Sequence, residues 1–292
     1  MVPVSLFLWL GAEIAAWLAV AHGWLGLPWP AACLAALGGL LGLRAGIIGV
    51  TWAFAAAYGE APPLGPWRWL RMAIAEYLAF LCLFLAVTPF ERLWMGRDRL
   101  APCRRPILLV HGYACSRGMW WWLRRRLEAA GYVVATVSLT PPYTSIAKLV
   151  PQLARRVDEV CAATGAEKLI LVAHSMGGLV CRSYLARFGG DRVERLLTLA
   201  TPHAGTELAR IGIGQNAREM EPGSVWLRDL DAEPSPVPIV ALCNRHDNFV
   251  MPDRNQSLPG AEEVTVDGTG HLALLFSDAT AEVVIRETGK AA

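Results

Sequence analysis

The pattern of apolar and polar positions changes near residue 90. Before it lie three apolar runs, residues 4–21, 31–58 and 69–87. Each is close to the ~20 residues that a helix needs to cross a hydrocarbon layer. The second would extend about 42 Å at about 1.5 Å per residue, so it has to tilt, kink or protrude. From residue 106 onward, short apolar runs alternate with helix-like segments. Runs at 106–110, 132–138, 169–173, 193–200, 237–243 and 262–266 read as strands. Segments near 120–130, 146–163 and 179–187, and a last one from Asp278, have helical periodicity. Uniformly apolar strands such as Ile107-Leu108-Leu109-Val110 fit a parallel sheet covered by helices on both faces. The expected organisation is an all-α transmembrane bundle over 1–90, a linker over 91–105 and an α/β domain over 106–292.

Composition supports the first of these units. Hydrophobic residues make up 54% of the chain and charged residues only 18%, with a mean hydropathy of +0.36. Up to residue 90 the only acidic and basic residues are Glu13, Arg44, Glu60, Arg68, Arg71 and Glu76. Glu13, Arg44 and Glu76 each lie near the middle of their run. Isolated charges in hydrocarbon are costly and tend to pair, so a Glu13, Arg44, Glu76 cluster is expected. Trp24, Trp29, Trp67, Trp69 and Trp94 fall at the run ends, where indole suits the headgroup level. Gly38, Gly42 and Gly46 share one helix face, which would allow close approach by a neighbour and offers a face for homo-oligomer contact. Five arginines, Arg92, Arg97, Arg99, Arg104 and Arg105, follow the third run, against Arg68 and Arg71 on the opposite side, which places the α/β domain in the cytoplasm.

Charge elsewhere is mild. A net charge of +2 and no basic tract interleaved with aromatics argue against a nucleic-acid partner. Arg124-Arg125-Arg126 reads as the solvated face of a helix, with a membrane-surface contact as the alternative. The seven cysteines show no metal-type or CxxC spacing, which argues against a disulfide framework and favours a reducing compartment.

The chemistry centres on the third run of the α/β domain, which leads straight into His174-Ser175-Met176-Gly177-Gly178. Strand, tight turn and helix in that order hold a serine with its hydroxyl exposed above a parallel sheet. Serine is a poor nucleophile until a histidine takes its proton, and that histidine needs a carboxylate to fix its tautomer. Asp247 and then His271 follow Ser175 on loops at strand C-terminal ends, where such a sheet places its site. Asp253 and Asp267 are the fallback acids. His174 and His203 are read as structural, and His111 as a structural hydrogen-bonder. The N–H groups of Tyr113, after the bend at Gly112, and of Met176 are the candidate oxyanion donors. This chemistry calls for no cofactor and no metal ion.

Four segments carry a resemblance: residues 173–178, His111-Gly112, residues 201–206 (Thr201, Pro202, His203, Ala204, Gly205, Thr206) and residues 270–277. Together they resemble the bacterial lipases and carboxylesterases of the α/β-hydrolase superfamily, and Ala173 at the first elbow position is similar to the small Bacillus-type lipases. The resemblance covers roughly 106–288 and not the apolar region. It implies an α/β-hydrolase fold with a short cap over about 204–236; the three apolar runs, which those secreted enzymes lack, make the expected location the bacterial inner membrane, with several passes. Membrane lipids and a lipid or other hydrophobic ester substrate are the implied partners. Thioesterase, polyester depolymerase and acyltransferase activities would use the same triad, and a scaffold with a silent hydrolase fold is the non-enzymatic alternative. Trp120-Trp121-Trp122 could line an acyl pocket, face the membrane, or simply pack on the sheet.

Overall fold

The computed structural model describes residues 2–290. Helix α1 (Val2–Leu18) runs on into a wider helical segment, Ala19–Trp24. Helix α2 spans Trp29–Tyr58, and α3 (Pro66–Leu81) continues through Cys82–Val87. The three helices Val2–Trp24, Trp29–Tyr58 and Pro66–Val87 are long and apolar enough to cross a membrane. Helices α2 and α3 begin two or three residues before the apolar runs do, because Pro30 and Pro66 stand in their first turns. A proline there breaks no hydrogen bond and arrives with helical φ already set.

The remainder is a six-stranded parallel sheet: β1 (Ile107–Val110), β2 (Val134–Val137), β3 (Leu169–His174), β4 (Val193–Leu199), β5 (Ile239–Asn244) and β6 (Glu262–Val266). Its order is β2-β1-β3-β4-β5-β6. The helices in chain order are α4 (Glu91–Trp94), α5 (Trp121–Ala129), α6 (Ile146–Thr164), α7 (Met176–Phe188), α8 (Gln215–Glu219), α9 (Val225–Asp231) and α10 (Asp278–Gly289). Successive strand residues point to opposite faces. Leu108, Val110, Leu171 and Ala173 therefore enter a core with α6 and α7. Ile107, Leu109, Ile170 and Val172 enter a second core with α5 and α10.

Phe80, Leu83 and Val87 of the third apolar helix belong to that second core, beside Met119, Trp120 and Leu123. The helix thus covers the sheet domain with one face, while Leu70, Ile74 and Leu78 remain exposed on the other. The expected linker is fastened as well. The carboxylate of Asp98, only 4% exposed, pairs with Arg117, Arg124 and Arg156 and accepts from the Thr136 N–H and hydroxyl.

Several expectations need correction. Arg44 pairs with Glu13, but Glu76 joins neither. It lies on the face of α3 that meets the loop after β6. Trp94 donates to the Ala86 carbonyl and packs on Trp121. Arg124 is buried in the Asp98 network, so that basic run is only partly solvated. Trp120 is fully buried, and Trp121 and Trp122 pack on Phe276, so packing accounts for the tryptophan triplet. Inside the chain α1 lays Trp17 over Gly39, and open space adjoins Gly38, Gly42 and Gly46.

Removing one partner of a buried ionic network leaves uncompensated charge at a cost of about 3–5 kcal/mol. Asp98→Ala should therefore lower the thermal unfolding midpoint of the detergent-solubilised protein by several degrees, read by tryptophan fluorescence; an unchanged midpoint would contradict the network's role.

Candidate active site

Ser175 occupies the single residue between β3 and α7, at φ 54° and ψ −131°. A non-glycine residue at positive φ is strained by about 1–3 kcal/mol and persists only where its surroundings hold it. Here the Ser175 N–H donates to the Leu199 carbonyl (2.9 Å), and its own carbonyl accepts from the Thr201 hydroxyl (2.9 Å) and the Gly178 N–H (3.0 Å). The turn closes because its neighbours lack side chains. A Cβ on Gly112 would stand 2.9 Å from the Ser175 Cβ, one on Gly177 2.6 Å from the Val110 carbonyl oxygen, and one on Gly178 would overlap Thr201.

Asp247 and His271 are brought together. The ring Nδ1–H of His271 donates to Asp247 Oδ2 at 2.7 Å, with both side chains buried. The other carboxylate oxygen of Asp247 accepts from the Phe249 and Val250 N–H groups at 2.7 and 2.8 Å, so its orientation is set by its own turn. The Phe249 ring stacks on His271. His174, next to Ser175 in the chain, donates through Nε2 to the His271 carbonyl (3.1 Å), and the two rings lie 4.4 Å apart. This puts the histidine loop beside the serine turn. The fallback acids are occupied elsewhere: Asp267 is held by Arg245, and Asp253 accepts from the Glu60 N–H.

His111 holds the candidate oxyanion loop. Its Nδ1–H donates to the Gly112 carbonyl (2.9 Å), and its Nε2 accepts from the Leu139 N–H (2.9 Å). Burial pushes its pKa down to about 4, so the ring is neutral at pH 7 and can serve as donor and acceptor at once. Among the described residues, the N–H groups of Tyr113 and Met176 donate to no backbone carbonyl. The Tyr113 hydroxyl reaches the 204–236 segment, donating to the Ile213 carbonyl at 2.6 Å and accepting from its N–H at 3.0 Å. That segment carries α8, α9 and a 3-10 turn, and Glu219 ties it down by capping α6 through the Ser145 hydroxyl and Ile146 N–H.

The parallel sheet and its helices resemble those of known proteins. Residues 105–223 match the family model described as alpha/beta hydrolase fold. The fold is that of the α/β-hydrolases. The mature lipase BlEst2 of Bacillus licheniformis superposes with a TM-score of 0.59 at 21% identity, over 67% of this chain and 96% of that one. Aspergillus fumigatus lipase B gives 0.56 at 14% identity, over 68% and 55%. In sequence, a triacylglycerol lipase of Burkholderia plantarii is 34% identical over 123 residues, which are 39% of this chain and 34% of the lipase. Another, from Pseudarthrobacter phenanthrenivorans, is 34% identical over 120 residues, 38% and 37% respectively. The chain thus spans about a third of the length of the curated relatives it matches.

Two residues of this α/β-hydrolase fold escape a reading of motifs. The Asn244 amide donates to the Thr269 carbonyl (3.0 Å), tying the acid turn to the histidine loop. Asn248, fully buried, accepts from the His271 N–H (3.1 Å). Both are asparagines beside an obvious acid in the segment 244–248, and that clustering is the only signal the sequence offers.

Burial lowers the pKa of His111, His174 and His203 alike, so each binds its proton more tightly when unfolded. Their contribution to stability is whole above the ordinary value of 6.5 and is lost as pH falls through the folded values, about 4 for His111. The unfolding midpoint should hence decline steadily below neutrality; a midpoint flat from pH 7 to about 4 would contradict this.

Proposed function

We propose that this chain is a membrane-anchored serine esterase or lipase in which Ser175, Asp247 and His271 form the triad. The observation that carries the proposal is the 2.7 Å bond from His271 to Asp247 beside a serine held at positive φ. His271 takes the Ser175 hydroxyl proton as the oxygen attacks the ester carbonyl, and Asp247 stabilises the imidazolium. The Tyr113 and Met176 N–H groups receive the oxyanion, where a single donor is worth about 100-fold or more in rate. The proton on His271 passes to the departing alcohol, leaving an acyl-serine. Water, deprotonated by His271, then releases the acid and restores the hydroxyl.

The relatives named triacylglycerol lipase favour an acyl ester as substrate. So does the setting of the site, for apolar side chains cover the outward faces of the three helices, and Ile211, Ile213 and Val225 are exposed on the covering segment. A hydrolase held in a bilayer meets lipid esters at high local concentration. The arginines after the third helix favour a cytoplasmic position for the sheet domain.

A fluorophosphonate should label the folded protein at Ser175 and nowhere else, and Ser175→Ala should abolish labelling. Absence of an adduct on the wild type would sink the enzyme reading in favour of a scaffold. Asp247→Asn should lower kcat on an acyl ester by about 10⁴-fold with intact folding. A matched panel of esters and thioesters of graded chain length separates a lipase or esterase from a thioesterase.

A further inference from the structure

We infer that the second and third membrane helices form part of the frame of the active site, with Glu76 and Thr51 as positioning residues for His271. This rests on the triad proposed above.

His271 stands on an irregular loop between β6 and the 3-10 turn Ala273–Phe276, so neither a strand nor a long helix fixes it. What fixes it is a set of side chains, two of them from the apolar region. Glu76 of α3 is fully buried. Its carboxylate accepts from the Leu272 N–H (3.1 and 3.0 Å to the two oxygens) and the Ala273 N–H (2.8 Å), the two residues that follow the histidine. On the preceding side, a Cβ on Gly270 would overlap that carboxylate, so glycine is what lets the loop lie against α3. The second attachment runs through Asn248. It accepts the His271 N–H at 3.1 Å and donates through Nδ2 to the Thr51 hydroxyl of α2 at 2.7 Å. Thr51 in turn donates to the Ile48 carbonyl at 2.8 Å, which aims its oxygen at Asn248. A third contact lies nearby: His246 donates to the carbonyl of Pro62, between α2 and α3.

Carboxylate to N–H bonds are charge-assisted and shorter and stronger than neutral ones. Replacing one carboxylate oxygen with an amide NH2 removes the charge and sets a donor against the buried Leu272 N–H, so the loop must shift to relieve the contact. Displacing a catalytic group by about 1 Å can cost roughly 100-fold in rate. Neither Glu76 nor Thr51 touches substrate in this arrangement; they act through the backbone of the histidine loop.

The test uses the full chain in lipid nanodiscs, with active sites counted by fluorophosphonate titration and turnover measured on p-nitrophenyl butyrate. Glu76→Gln keeps the shape and removes the charge; Thr51→Val keeps the shape and removes the oxygen, while Thr51→Ser retains it. We expect kcat per titrated site to fall roughly 10- to 100-fold in Glu76→Gln and about 3- to 10-fold in Thr51→Val, with KM within about twofold and near wild-type turnover in Thr51→Ser. A purely structural role would instead reduce the number of titratable sites and leave kcat per site unchanged, and that result overturns the inference. So does equal impairment of Thr51→Ser and Thr51→Val. Should Glu76→Gln fail to fold, the Thr51 pair decides alone. A wild type that takes no label refutes the hydrolase reading itself; a labelled wild type with unaffected variants refutes only this inference.

Discussion

The architecture around the site follows from one steric constraint, that the chain must turn from β3 into α7 within a single residue. Ser175 accepts a positive φ there because Gly112, Gly177 and Gly178 leave no side chain in the way and because β4 and Thr201 hold its backbone groups. The first strand has to end at the same level, since Gly112 presses on the serine itself. The loop that carries Tyr113 is therefore delivered to the site by the same packing that strains the serine. His111 keeps it there, as a neutral ring that bonds at both nitrogens.

A second constraint comes from the chain's apolar composition. Few charges are available, and those that are buried find partners with more than one function. Asp98 gathers three arginines and so fastens the segment after the third helix to β2 and α6. Glu219 caps α6 and anchors the 204–236 segment at once. Arg44 and Glu13 neutralise one another between α1 and α2. A buried carboxylate costs several kcal/mol unless it is hydrogen-bonded, which is why Glu76 meets a loop rich in free N–H groups.

Much of this was legible in the residues. Uniformly apolar strands and the elbow string marked the parallel sheet, and Asp247 and His271 stood out because each follows a strand end. The apolar runs marked the three helices to within a few residues. What was hidden is whatever depends on which way a helix turns. In-span charges announce that partners exist, but sequence does not say whether Glu76 faces Arg44 or the sheet domain. The tryptophans at positions 94 and 120–122 carry the same ambiguity, since indole suits a membrane boundary and a core alike. Asn248 gave no signal beyond its place beside Asp247, because its role is to bridge two elements distant in the chain.

The bonds from Glu76 to Leu272 and Ala273 span 196 and 197 residues. Synthesis proceeds from the N-terminus, so α3 is made long before the loop it grips. Through that interval its carboxylate lacks these partners, and the nearly complete sheet lacks its histidine clasp. Contacts this distant form late. The chain therefore completes the surroundings of His271 as one of the last steps of its folding, and a nascent fragment has the strained Ser175 turn without the histidine loop beside it.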